Sequence, residues 1–171
     1  MRSRTFAIAG ALLATMTLAS ASARDRDDGE HGSHHRRSED RGRTGGPIDP
    51  AYLKECGACH IAYPPGSLPA ASWRALFSGL DRHFGEDANL EPAVREGIER
   101  WVVARAGAER LRTGTPSLRV TELSWFRDEH DEVPADAAAR PSVRSLANCS
   151  ACHPGAERWD FDEDRVRIPR R

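Results

Sequence analysis

Two pentapeptides constrain this chain more than anything else in it. Cys56-Gly57-Ala58-Cys59-His60 and Cys149-Ser150-Ala151-Cys152-His153 hold all 4 of its cysteines. Each sets two thiols three residues apart with an imidazole directly behind the second. Three chemistries compete for such a pattern: structural disulfides, a zinc site of paired thiolates, and covalent attachment of haem. Zinc ribbons separate their thiol pairs by about 15–20 residues, whereas 89 residues lie between Cys59 and Cys149. Disulfides would explain the cysteines but not the repeated histidine. Covalent haem c explains every position. Two thiols on one helical turn reach the two vinyl groups on one porphyrin edge and form thioethers, while the next residue projects its imidazole beneath the ring towards iron.

His60 and His153 are then the proximal ligands of two c-type haems, and two sixth positions need occupants. Methionine is a familiar choice, but Met1 and Met16 are the only methionines, and both lie in the apolar leader. The single lysine, Lys54, is two residues before Cys56 and would have to wrap around the ring. His31, His34 and His35 fall in a polar tract near the N-terminus, which leaves His83 and His130. Leu76, Leu80 and His83 follow an i, i+4, i+7 pattern flanked by Trp73 and Phe84. This predicts a helix beginning between Leu68 and Trp73 and ending at Gly85. Leu123, Phe126 and His130 repeat the idea at i, i+3, i+7, with Pro134 as the limit. A lone histidine on such a face is ordinarily a core residue; two vacant iron positions turn the balance to ligation. His83 lies 23 residues after His60, and His130 lies 23 before His153. The mirror order excludes a tandem repeat. Local pairing joins His60 with His83 and His130 with His153, and crossed pairing remains compatible with the sequence.

The N-terminus points to export. Residues 1–23 have Arg2 and Arg4, an apolar stretch from Phe6 to about Leu18, and Ala21-Ser22-Ala23 before a charged run, the order of a cleaved signal peptide. The stretch is short of the roughly 20 apolar residues of a membrane span, so the mature chain is expected in the periplasm, starting near Arg24. Cleavage takes the formal charge from −1 to −3, with no basic stripe for nucleic acid. Residues 24–47 balance six arginines against six acids with almost no apolar side chains, a composition expected to stay disordered. Residues 48–171 form the folded domain. It is a small stretch from which to build an apolar core, a shortage that a bulky cofactor relieves.

The rest reads as mainly α: a small haem-centred helical domain with long loops. Val94, Ile98, Trp101, Val102 and Arg105 mark the longest helix, running from Pro92 towards Leu111, its stripe facing haem or the His83 helix. Short helices are expected to lead into each motif, from about Pro50 and about Ser142. Residues 113–117 and 133–141 read as loops, and no alternating strand pattern of useful length is present. Trp159, Phe161, Val166 and Ile168 of the charged tail are expected to fold back over the second haem. Trp73, Trp125 and Trp159 read as packing rather than as an electron relay.

Three segments carry a resemblance: "YLKECGACHIAYPPGSLPAASWRALFSGLDRHFGEDANL", "RVTELSWFRDEHDEVP" and "NCSACHPGAERWDFDEDRVRIPR". From about Tyr52 to Pro169 the chain resembles the small dihaem cytochrome c family of exported bacterial electron carriers. Ala62-Tyr63-Pro64-Pro65, Leu68-Pro69-Ala70, Ser72-Trp73 and His83-Phe84-Gly85 are its more specific matches. The resemblance implies an α-helical domain with two low-spin, bis-histidine haems. Thioethers would come from Cys56, Cys59, Cys149 and Cys152, and axial nitrogens from His60, His83, His130 and His153. It implies as partners a membrane b-type cytochrome and an exported oxygen-binding c-type haem protein. The leader at 24–47 departs from the family pattern. With no open coordination position, the expected function is electron transfer without catalysis. The alternatives are a small dihaem peroxidase or reductase, or a haem-based sensor that sheds His83 or His130.

Overall fold

The computed structural model describes residues 47–108 and 115–170. The expected signal peptide, residues 1–23, and all but the last residue of the expected polar leader lie outside the described residues, as does the stretch 109–114. Among the described residues there are four α-helices, several 3₁₀ turns and long loops, with isolated β-bridges but no strand. The mainly α expectation holds.

Helix α1, Pro50–Cys56, starts as its sequence dictates. The Asp49 carboxylate accepts from the Tyr52 N–H at 2.9 Å, and Pro50 fills the first position, where an N–H would be orphaned anyway. Helix α2, Ala70–Phe77, follows a turn through Pro65–Ser67. It ends eight residues short of the expected Gly85. The Ser78 hydroxyl turns back to the Ala75 carbonyl and the Gly79 N–H to Leu76, so Ser-Gly closes the helix before His83 is reached. Helix α3, Pro92–Val103, is capped by Glu91, whose carboxylate accepts from the Ala93 and Val94 N–H groups. It too is shorter than its pattern, stopping at Ala104. Its stripe, with Ile98 and Val102 fully buried, packs on α2. Helix α4, Ser124–Glu129, ends at His130 rather than continuing to Pro134.

The helix expected from Ser142 is absent: turns lead from Arg140 to a 3₁₀ turn at Cys149–Ala151. The positive φ of Arg144 (65°) is incompatible with a continuous helix there. The core is centred on Tyr52, Leu68, Trp73, Phe77, Ile98, Val102, Val120 and Phe126. An aromatic group, Tyr52 with Trp73, Trp101 and Trp159, lies beneath the first motif, with ring centres 5.3–6.4 Å from Tyr52.

Candidate functional site

The two cysteine motifs face one cleft. Its volume is about 710 Å³, and its walls are Gly57 to Tyr63 on one side and Ala147 to Ser150 on the other. That volume falls within the range of cofactor sites, about 300–1,000 Å³. Cys59 and Cys149 both line it, so the chain presents thiols from both motifs to one cofactor-sized space.

The first motif leaves the end of α1. Cys56 is the last helical residue, and the Gly57 N–H closes the helix on the Leu53 carbonyl. A Cβ at Gly57 would lie only 2.3 Å from that oxygen, which explains the glycine inside the motif. His60 donates from Nδ1 to the Ile61 carbonyl at 2.6 Å. A carbonyl can only accept, so this bond fixes the proton on Nδ1 and leaves Nε2 with its lone pair free for a metal.

His83 reaches the same place from a loop, not from the expected helix. The 3₁₀ turn Leu80–Arg82 delivers it, and Phe84 (φ 54°) and Gly85 (φ 106°) reverse the chain so that Glu86 N–H bonds the His83 carbonyl at 3.1 Å. Two successive positive φ values are the signature of a I′-type reversal. The imidazole is thereby set 6.3 Å from that of His60, centre to centre, with 30° between the planes. The Phe84 ring stands edge-on to His83 at 4.8 Å, and the Arg119 guanidinium lies 4.0 Å over Phe84. Burial first, then the facing His60 and the Arg119 charge, holds His83 below the usual histidine range. A neutral imidazole is the form that can ligate.

His130 is positioned by a helix terminus. It follows the last residue of α4 and donates from Nδ1 to the Phe126 carbonyl at 2.8 Å, satisfying one of the carbonyls that a helix end leaves unpaired. Its ring stacks on Phe126, 3.9 Å between centres and 13° between planes. Opposite it stands His153, 6.2 Å away at 68°. His153 is fixed by its N–H bond to the Cys149 carbonyl at 2.8 Å and by the edge of Phe161 at 5.3 Å. Burial, then the neighbouring His130, lowers its basicity. The structure therefore brings the four expected histidines together as His60 with His83 and His130 with His153, the local pairing. In each pair one Nδ1 is bonded to the backbone, while the other, on His83 or His153, is buried without a protein partner.

The four cysteines are unpaired thiols. Burial pushes Cys56 and Cys149 up to about 11 and raises Cys152 as well. A backbone hydrogen bond at Cys149 and the Arg140 charge near Cys152 act the other way, but burial outweighs them, the opposite of the balance at a reactive cysteine. Among the described residues no three His, Cys, Asp or Glu side chains converge on a metal-sized point.

The tail divides its work. Phe161 packs on His153, and the Arg167 N–H donates to the Cys152 carbonyl at 2.8 Å, both at the second motif as expected. Trp159 does not follow them. Its left-handed backbone (φ 58°) turns the indole to the other half, where Nε1 donates to the Ala62 carbonyl at 2.6 Å. Trp73 is tied to the Pro65 carbonyl beneath the same segment. Sequence reasoning assigned no role to Tyr63 or Arg119. Tyr63 lies 5.2 Å from His60, ring to ring, and its hydroxyl donates to Ala147 at 3.0 Å. Burial, with Cys149 nearby, pushes this phenol up to about 12, so it remains a donor at neutral pH. A tyrosine three residues after the motif histidine was the available signal for it. Arg119 had none, being brought to Phe84 only by the fold.

Comparison with known proteins agrees with this geometry. The family described as Dihaem cytochrome c matches residues 52–161. A diheme cytochrome c from Rhodobacter sphaeroides is 48% identical, covering 65% of this chain and 94% of that one, with a TM-score of 0.59. The diheme cytochrome type c from Shewanella baltica OS155 is 41% identical, covers 73% and 96%, and has a TM-score of 0.64. No curated protein sequence matches the chain at a significant level. The family match spans well over half of the sequence and includes both cysteine motifs, His83 and His130: the chain belongs to the dihaem cytochrome c family and is a protein of two c-type haems.

Proposed function

We propose that this chain is a periplasmic electron carrier in which both haem irons are held by two histidines. The spacing of the imidazoles carries this reading. An iron between two imidazoles needs about 2 Å for each metal–nitrogen bond and about 1 Å from each nitrogen to its ring centre, about 6 Å in all. The two pairs stand at 6.3 and 6.2 Å. His60 and His130 present Nε2 because their Nδ1 atoms are committed to carbonyls, and such bonds also tune a metal's potential. Cys56, Cys59, Cys149 and Cys152 supply the thioether sulfurs.

When bound, the haems supply one-electron chemistry. His60 with His83 and His130 with His153 would each hold one iron from both sides, leaving substrate no place to coordinate, which favours transfer over catalysis. Nitrogen ligation without a thioether sulfur also favours a lower potential than a His/Met site. The leader at 1–23 supports export with cleavage near Ala23, and so a periplasmic location. The family resemblance favours, as partners, a membrane b-type cytochrome as donor and an exported oxygen-binding c-type haem protein as acceptor. Docking would be transient, through a small interface.

A redox titration of the purified, haem-loaded protein followed by optical and electron-spin spectra tests the reading. Two fully low-spin, six-coordinate centres that do not bind carbon monoxide when reduced are expected. A substantial high-spin fraction or rapid carbon monoxide binding would overturn it in favour of an enzyme or sensor.

A further inference from the structure

The cleft between the motifs is spanned by a side chain that neither thioether formation nor axial ligation requires. At one end the Tyr63 ring lies against His60, 5.2 Å between centres and inclined by 44°. At the other its hydroxyl donates to the Ala147 carbonyl at 3.0 Å. That carbonyl belongs to the turn that carries the second motif and lies 3.7 Å from the Cys149 sulfur. Tyr63 is itself held firmly. Its carbonyl accepts from the Tyr52 hydroxyl at 2.5 Å, and Tyr52 is fully buried in the aromatic group below. The neighbouring Ala62 carbonyl is taken by Trp159. Among the described residues, Asn148 Nδ2 to the Val143 carbonyl, the Ala147 N–H to the Ser145 hydroxyl and Arg144 Nε to the Pro141 carbonyl are local bonds. They shape the turn without fixing its distance from His60.

We infer that Tyr63 is a positioning residue that sets the separation and coupling of the two redox centres, gripping the first through His60 and the second through Ala147. The inference rests on each motif holding one haem, as proposed above. The exchange concerned is one electron passing between the two irons, one oxidised as the other is reduced, with no proton moved and no bond changed. Its rate falls steeply with distance, so a strut that fixes the gap controls it.

The test is Tyr63→Phe in the full, haem-loaded chain, which keeps the ring on His60 and deletes the donor to Ala147. Haem content by mass and the low-spin optical spectrum should match the parent. Electron exchange between the haems of the half-reduced protein should slow several-fold, and the magnetic interaction between the two ferric centres should weaken. Ile98→Val serves as the control for general loosening, because Ile98 is buried on α3 away from the cleft wall. It should lower the melting temperature while leaving exchange unchanged. Parental exchange and coupling in Tyr63→Phe, or an equal change in Ile98→Val, would overturn the inference. A parent chain lacking one haem, or high-spin from the start, would instead overturn the reading beneath it.

Discussion

The two histidine pairs reach nearly the same separation by different means. His83 is delivered by a reversal that needs positive φ at Phe84 and Gly85, and its aromatic neighbour, Phe84, is 47% exposed. His130 is the cap of a helix, bonded to its last turn and stacked on Phe126, which is only 5% exposed. The first site is therefore held by backbone conformation and the second by packing. Equal ring separations do not imply equal mechanical support.

Removing thiols separates the sites most sharply. Cys56→Ser with Cys59→Ser, or Cys149→Ser with Cys152→Ser, should each cost one of the two covalent haems, read as the mass of one porphyrin lost from the intact protein. Retention of both would break the assignment of motifs to haems. Next in size is the opening of one iron. His83→Ala and His130→Ala should each leave both haems attached but convert one centre to a high-spin, carbon monoxide-binding form. A variant that kept the parental six-coordinate spectrum and potentials would remove that histidine from the ligand set.

The aromatic supports should then differ. Phe126→Ala should destabilise the fold by about 3–5 kcal/mol, the usual cost of deleting a buried aromatic ring. Phe84→Ala, at an exposed position, should cost under about 1 kcal/mol. Denaturant unfolding compares them, and equal losses would erase the distinction between packing and conformation. Smallest is the spectral difference between two intact sites. If both pairs ligate iron as proposed, rings near parallel, 30° apart at His60 and His83, would act on the same iron orbital, whereas rings 68° apart at His130 and His153 would act on different ones. The ferric protein should show two distinct low-spin signals, the more anisotropic one from the second pair. His130→Ala should abolish that signal selectively, and two identical signals in the parent would mean that the ring planes do not differ.

The sequence made the cofactor chemistry legible because thioether attachment demands adjacent residues, and adjacency survives in a linear text. The proposed ligand set came from an inventory: both methionines lie in the expected leader, which leaves His83 and His130 as the candidates for the sixth positions. Helix lengths were less legible. The pattern Leu76, Leu80, His83 continues past Phe77, but the Ser78 hydroxyl and Gly79 end the helix, and periodicity carries no record of such a local competition. Trp159 was misplaced for a related reason. It is six residues from His153 in sequence, yet a single left-handed residue turns it to the other half of the molecule. Tyr63 and Ala147, separated by 84 positions, touch only once the fold exists.

Those two cross-links, 84 and 97 residues apart in sequence, each close a large loop. Closing so large a loop costs entropy before any contact repays it. Until that loop closes, the first pentapeptide lacks the indole that bonds its neighbour Ala62, and its thiols are expected to stay reachable. A chain built this way can receive its porphyrins before it shuts.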